Sequence, residues 1–292
     1  MRNKRCKFIL SNKNSTFAAA MKSYTSILIL AVIVLATSCK TEFEKIRTSN
    51  DPELIYEKAN NFYSEGDFYK AQTLYDLVIP FYRGKKEAES VFFKYAYCHY
   101  NQSQFMLANH YFDNYAQTFT SSPNQEEAQY MATYSLYRLS PNYKLDQTFT
   151  EQAIKGMQKF INTYPNSERT AVATTLIDEM RAKQEEKAFE QGRLYYEIKN
   201  YKAAINSLQS MIKDYPETQR SEEIRWLILD SNHILAQNSV FLKKEARFNE
   251  TLKLASRFIK KYPESIHVPA ANKISENCII SLKEIENVGL KE

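Results

Sequence analysis

Phe160-Ile-Asn-Thr-Tyr-Pro-Asn-Ser167, Met211-Ile-Lys-Asp-Tyr-Pro-Glu-Thr218 and Phe258-Ile-Lys-Lys-Tyr-Pro-Glu-Ser265 are three copies of one element. Their prolines, Pro165, Pro216 and Pro263, are spaced by 51 and 47 residues. Self-similarity at such a period marks a repeat architecture. Each copy follows the same local logic. An apolar stripe at helical spacing runs into a proline, which cannot donate the next backbone hydrogen bond and ends the helix. A Ser, Thr or Asn follows and can cap the next helix. The tyrosine is placed to bury its ring at the junction and leave its hydroxyl in water. Weaker echoes stand at Val78-Ile79 with Tyr82 and at Tyr115-Ala116 with Phe119.

Working outward, a second helix precedes each element. Asp51-Pro52-Glu53 supplies an N-cap, a proline at the first helical position and a first-turn acid. Ile55, Ala59 and Phe62 continue as a stripe, Gly66-Asp67 breaks it, and Ala71, Tyr75 and Val78 carry the next one. Ser122-Pro123-Asn124-Gln125 has a capping-box pattern. Helix, turn, helix, with small residues where helices cross, resembles the tetratricopeptide repeat. In that register repeat one starts near Pro52, repeat two near Glu89 and repeat four near Glu185. Repeats three and five depart from the period, repeat three through an insertion at about Ser140–Thr150. The expected fold is all-α, a right-handed helical solenoid of about five tetratricopeptide-like helix pairs. The expected division places the N-terminal repeats at 51–140 and the C-terminal repeats at 141–292. Only five glycines and no alternating strand pattern agree with this. The mixed-charge run Asp178–Glu190 reads as a solvated helix face.

The N-terminus has a different character. Residues 1–38 hold six basic side chains and no acid, followed by the apolar run 27–36. That run is shorter than the roughly 20 residues a spanning helix needs, and the pattern fits a secretory signal. It ends Ala36-Thr37-Ser38-Cys39, small residues before a cysteine, as in a bacterial lipobox. Cys39 is therefore the expected lipid-attachment site and first mature residue, with 39–50 as a lipidated linker. Several acyl chains would anchor stably where one is marginal. Removing the six positive charges takes the net charge from +5 to −1. The chain thus lacks the basic footprint of a nucleic-acid binder. Cys98 and Cys278, far apart in sequence, are expected as buried free thiols without a bridge.

Catalytic patterns are weak. His99, His110, His233 and His267 have no metal-ligand spacing, and the chain has no phosphate-cradling glycine loop, nucleophile elbow or Cys-x-x-Cys. The expected protein is not an enzyme and carries no cofactor or metal. What stands out is aromatic. In a repeat of this type the fifth, ninth and twelfth positions of the first helix line a concave groove. In repeat one these are Tyr56, Asn60 and Tyr63, and in repeat two Phe93, Tyr97 and Tyr100. Tyrosine offers apolar area at low entropy cost with a polar tip, which suits an extended peptide. The same rings could instead be packed between repeats, since the chain has 21 tyrosines.

The run 146–161, from Asp146-Gln147-Thr148-Phe149-Thr150 through Ala153-Ile154 to Gln158-Lys159-Phe160-Ile161, closes on Tyr164-Pro165-Asn166-Ser167. With the lipobox and five repeats, it resembles the BamD family of outer-membrane lipoproteins over roughly residues 40–265. The resemblance implies a scaffold or receptor of the β-barrel assembly machinery, lipid-anchored at the outer membrane on its periplasmic face. It implies three kinds of partner: unfolded outer-membrane proteins, the barrel-forming subunit BamA (through the C-terminal repeats), and other assembly-machinery lipoproteins. The long last helix pair, with its Asn238–Ala246 connection, departs from the family. A different class of function fits bare repeats too, a lipoprotein that organises peptidoglycan enzymes or captures glycan. Glycan capture would favour exposed tryptophan, and the chain has one, Trp226.

Overall fold

The computed structural model describes residues 41–289. The signal segment 1–38 and Cys39 lie outside the described residues. Twelve helices and no strand are found among the described residues. They are α1 (Glu42–Arg47), α2 (Pro52–Ser64), α3 (Phe68–Tyr82), α4 (Ala88–Asn101), α5 (Phe105–Thr118), α6 (Gln125–Leu139), α7 (Thr148–Thr163), α8 (Thr170–Glu197), α9 (Tyr201–Asp214), α10 (Ser221–Gln237), α11 (Phe241–Lys261) and α12 (Val268–Gly289). Five helix pairs follow one another from α2/α3 to α10/α11, and α12 comes last, the order of a helical-repeat solenoid. No described helix is long and apolar enough to cross a membrane. Residue contacts divide the chain into two units, 41–107 and 108–289.

In the first unit, Asp51 caps α2 by accepting from the backbone N–H groups of Glu53 and Leu54 at 3.0 and 3.1 Å, a device worth about 1 kcal/mol. Ile55 and Ala59 are buried on α2, and Ala71, Leu74, Tyr75 and Val78 on α3. Gly66 joins the two helices at φ +81°, a left-handed conformation that favours glycine. Within the segment expected as a linker, residues 42–47 form α1. Thr41 caps it, Ile46 is buried, and Phe43 meets Phe62 edge-on at 5.8 Å.

In the second unit the Tyr-Pro element has one geometry three times. Tyr164, Tyr215 and Tyr262 end their helices at φ/ψ of −126/65°, −128/69° and −129/66°. Two residues beyond each proline, the hydroxyls of Ser167, Thr218 and Ser265 accept from the backbone N–H two positions on, at 3.1, 3.2 and 3.1 Å. In two of the three copies the tyrosine hydroxyl, expected in water, is used in the fold instead. Tyr164 donates to Gln125 Oε1 at 3.3 Å and Tyr262 to Ser221 Oγ at 2.9 Å, each the first residue of the preceding first helix.

Two expectations are corrected. The capping box at Ser122 is not made. Ser122 Oγ accepts from Asn124 N in a tight turn, while the Gln125 side-chain amide donates to Ala116 O. The run Asp178–Glu190 is not simply a solvated face. Nothing breaks the helix between the two repeats it joins, so α8 runs for 28 residues and buries Met180 and Phe189 from within that run. Its acids are used as well: Glu185 accepts from the Thr218 hydroxyl at 2.6 Å and Glu186 pairs with Arg220 at 2.5 Å.

Candidate functional site

The groove residues of the first unit stand on α2 and α4. Tyr56, Asn60, Tyr63, Phe93, Tyr97 and Tyr100 are all half-buried. Their spacing of three to four residues puts each trio on one helix face. Part of each ring is used in packing. Tyr56 leans on Tyr82 at 4.9 Å between centroids, and Tyr63 meets Phe68 at 5.7 Å and Tyr75 at 6.4 Å. Phe93 stands edge-on to Tyr97 at 5.1 Å, and Tyr100 to Phe105 at 5.5 Å.

Asn60 is a junction between helices. Its side-chain N–H donates to Tyr56 O at 3.0 Å, and its Oδ1 accepts from Tyr75 OH at 2.9 Å and from Lys94 Nζ at 2.6 Å. Three helices, α2, α3 and α4, therefore meet on one amide. Burial pushes the Tyr75 phenol well above its ordinary pKa, so the hydroxyl stays a donor. The Lys94 ammonium lies 5.6 Å above the Tyr63 ring, within cation–π range. Lys94 thus brings a half-buried cation to an aromatic face. It sits one position after Phe93, outside the groove positions of the repeat. A sign of it was available: Lys94 is the one lysine or arginine of α4.

Below this surface, Cys98 is free and fully buried, and burial pushes its thiol up to about 12. Cys278 is likewise free and buried, its thiol raised to about 11. Neither forms a bridge, and both are inert packing thiols. His99 is buried with Nδ1 2.5 Å from Gln104 Oε1, and burial lowers its pKa.

The second unit has a concave surface of its own, built by the inserted segment. Gln147 is buried and clamps the loop by donating to Asn142 O at 2.9 Å and Leu145 O at 3.0 Å. A directed chain of bonds runs into it. Lys183 Nζ, which can only donate, gives to Ser140 Oγ (2.8 Å). Gln147 Oε1 can only accept, so Thr150 gives its one proton there (2.8 Å), and Ser140 is left to give to Thr150 Oγ1 (2.7 Å). The acceptor-only amide oxygen of Gln147 thus places both hydroxyl protons in the chain. Beside the loop lies a groove of about 560 Å³ whose lining includes Asp146, Glu151, Lys155, Lys187 and Tyr215. Hydrogen bonding from Thr148 lowers the Asp146 carboxyl pKa, so Asp146 is ionised there.

A stacked contact recurs in this unit that single-residue reading missed. Arg169 lies over Tyr130 at 5.5 Å, Arg220 over Phe189 at 4.4 Å, and His267 stacks on Trp226 at 4.4 Å. Each planar group follows a Tyr-Pro element by four or five positions and covers the ring of the preceding first helix. The single tryptophan is therefore covered and is no open sugar platform. Among the described residues, no cluster of three or more His, Cys, Asp and Glu side chains could hold a metal ion.

The chain is similar to proteins of known description. It is 23% identical over 221 residues to the outer membrane protein assembly factor BamD of Haemophilus influenzae, covering 72% of this chain and 84% of that one. It is 24% identical over 151 residues to the protein of the same description from Helicobacter pylori, covering 47% and 63%. Among solved structures, a TPR-repeat protein of Bacteroides fragilis aligns with 80% of this chain and 100% of its own at 12% identity, with a TM-score of 0.35. The family model YfiO, described as outer membrane lipoprotein, matches residues 48–245, well over half of the sequence, and so the chain belongs to the YfiO family of outer membrane lipoproteins.

Proposed function

We propose that this protein is a non-catalytic scaffold and receptor in the assembly of outer-membrane β-barrel proteins. The observation that carries the reading is the family match over residues 48–245, which runs through both units. The relatives named above are described as outer membrane protein assembly factors. In this reading the chain is held at the periplasmic face of the outer membrane by acyl chains on Cys39. Unfolded barrel chains engage the aromatic surface of the first unit. The C-terminal repeats dock a BamA-type barrel subunit and, with it, other assembly lipoproteins. The rival reading, glycan capture, is disfavoured by Trp226, whose ring is stacked under His267.

Depletion of the protein in its own cell tests the main reading. The expected result is a joint fall of many outer-membrane barrels. Normal barrel levels after depletion would refute it. Cys39→Ser is expected to abolish incorporation of labelled palmitate and to move the protein to the soluble fraction, and persistence of label would assign the anchor elsewhere.

Lys94 gives a sharper expectation for the groove. A cation held between Asn60 Oδ1 and the Tyr63 ring suits a carboxylate next to an aromatic side chain. Lys94→Met keeps the apolar stem and removes the charge. It is expected to weaken binding of an aromatic peptide with a free C-terminal carboxylate by about tenfold, or 1.4 kcal/mol, in fluorescence anisotropy. An amidated peptide should bind both forms alike. Equal affinity of the free-acid peptide for both forms would remove Lys94 from the site.

A further inference from the structure

The turn between α10 and α11 is built against the usual rules for a soluble helix. Val240 occupies the N-cap of α11, a position that favours Ser, Thr, Asp or Asn, and it makes no side-chain cap bond. Phe241 and Leu242 follow in the first turn. Val240, Phe241 and Leu242 are 66%, 51% and 93% exposed. Elsewhere α11 buries its apolar face normally, through Phe248, Ala255 and Phe258. The three exposed residues are consecutive, so they fan out around the helix start and cannot form one helix face for a groove. They make an apolar point.

The stem below that point is firmly tied. Ser239 Oγ donates to Leu235 O at 2.5 Å, and the Arg247 guanidinium donates to Ser239 Oγ across the base. The apex is therefore held outward by bonds made beneath it. Its charge is one-sided as well. Lys243 is exposed and Lys244 half-buried directly after the apolar triad, while the first acid, Glu245, comes after both lysines. Consecutive bulky apolar residues followed by cations match a phospholipid surface, with acyl chains for the triad and phosphates for the lysines.

We propose that the 239–244 apex is a second membrane contact, which inserts Val240, Phe241 and Leu242 among anionic phospholipids. The proposal rests on the outer-membrane reading, which puts a bilayer within reach of the protein. It does not depend on the aromatic groove.

The test uses the chain from residue 39 onward with Cys39→Ser, so that no acyl group contributes. The probes are sedimentable vesicles of phosphatidylethanolamine and phosphatidylglycerol in a ratio of about three to one, and vesicles of phosphatidylcholine alone. Binding to the anionic vesicles is expected. The triple variant V240S/F241S/L242S should weaken it at least about tenfold while leaving the circular dichroism and melting temperature unchanged. Lys243→Glu with Lys244→Glu should weaken binding to the anionic vesicles and leave phosphatidylcholine binding alone. In a direct readout, a tryptophan placed by Leu242→Trp should shift its emission to the blue when anionic vesicles are added. Equal vesicle binding by the parent and the triple variant, or an unshifted emission, overturns the proposal. So does a triple variant that loses capture of a barrel subunit with vesicle binding intact, since the apex would then be a protein contact. Any of these failures leaves the depletion result, and the assembly role that it tests, unaffected.

Discussion

Phe160→Ala is expected to destabilise the second unit by about 3–5 kcal/mol, the range for deleting a buried phenylalanine. Phe160 is 1% exposed. It lies among Ala153, Met157, Ala173, Ile177 and Met180, with Tyr130 at 5.5 Å and Tyr164 at 5.3 Å. The cavity would open where α6, α7 and α8 meet, and none of these helices can close it alone. Arg169 stacks on Tyr130, which rests on Phe160, so the loss should also loosen the contact that passes load to the next repeat. In a repeat array such a loss can split unfolding into two steps. Urea unfolding followed by far-ultraviolet circular dichroism would show an earlier first transition. Phe81→Ala is the control, because Phe81 is 57% exposed and little should change. A shift below about 1 kcal/mol for Phe160→Ala would mean that the junction core is looser than its burial implies.

Gly192→Val should be the second severe change, for the opposite reason. A Cβ at position 192 would come within 2.4 Å of Leu208 Cδ2 and 2.7 Å of Leu208 Cγ. Leu208 is fully buried and cannot swing away. Alanine there would gain up to about 1 kcal/mol of helix propensity, yet the overlap should cost about 1–3 kcal/mol. Valine adds two further methyl groups to the same crossing. The expected result is a lower melting temperature for Gly192→Ala and a larger loss for Gly192→Val. Gly66→Ala makes an informative comparison, since open space surrounds Gly66 and only its φ of +81° resists the change. A Gly192→Ala protein at least as stable as the parent would show that α8 and α9 can move apart without cost.

These crossings help explain what could be read from the sequence. The Tyr-Pro-x-Ser/Thr element was legible because its constraints act within a few residues. Proline stops one helix, and the hydroxyl two positions on turns the chain into the next. Ala59 and Ala71, placed on the packing stripes by their spacing, are fully buried. The stacked pairs Arg169–Tyr130, Arg220–Phe189 and His267–Trp226 were not legible, because the partners are 31 to 41 residues apart and join only once the register is known. Ser122 misled because serine can bond the next N–H but one as readily as a helix terminus. Lys94 escaped notice because it lies outside the groove positions of the repeat, although its long flexible side chain reaches Asn60. The helix α1 was hidden by its length. Six residues are too few to carry a periodic pattern, and only Phe43 and Ile46 mark its inner side.

That short helix sets the length of a leash. Two peptide units separate Cys39 from Thr41, the cap of α1, which is about 7 Å of fully extended chain. Beyond Thr41 the backbone is already pinned, by buried Ile46 and by Phe43 against Phe62. With acyl chains on Cys39, the first repeat could not range through the space beneath the membrane on a long flexible arm. It would be moored against the lipid headgroups, and its aromatic surface would wait at a fixed depth. Clients would have to be delivered to that depth, and lengthening the leash with inserted glycine and serine would trade a high local concentration for reach.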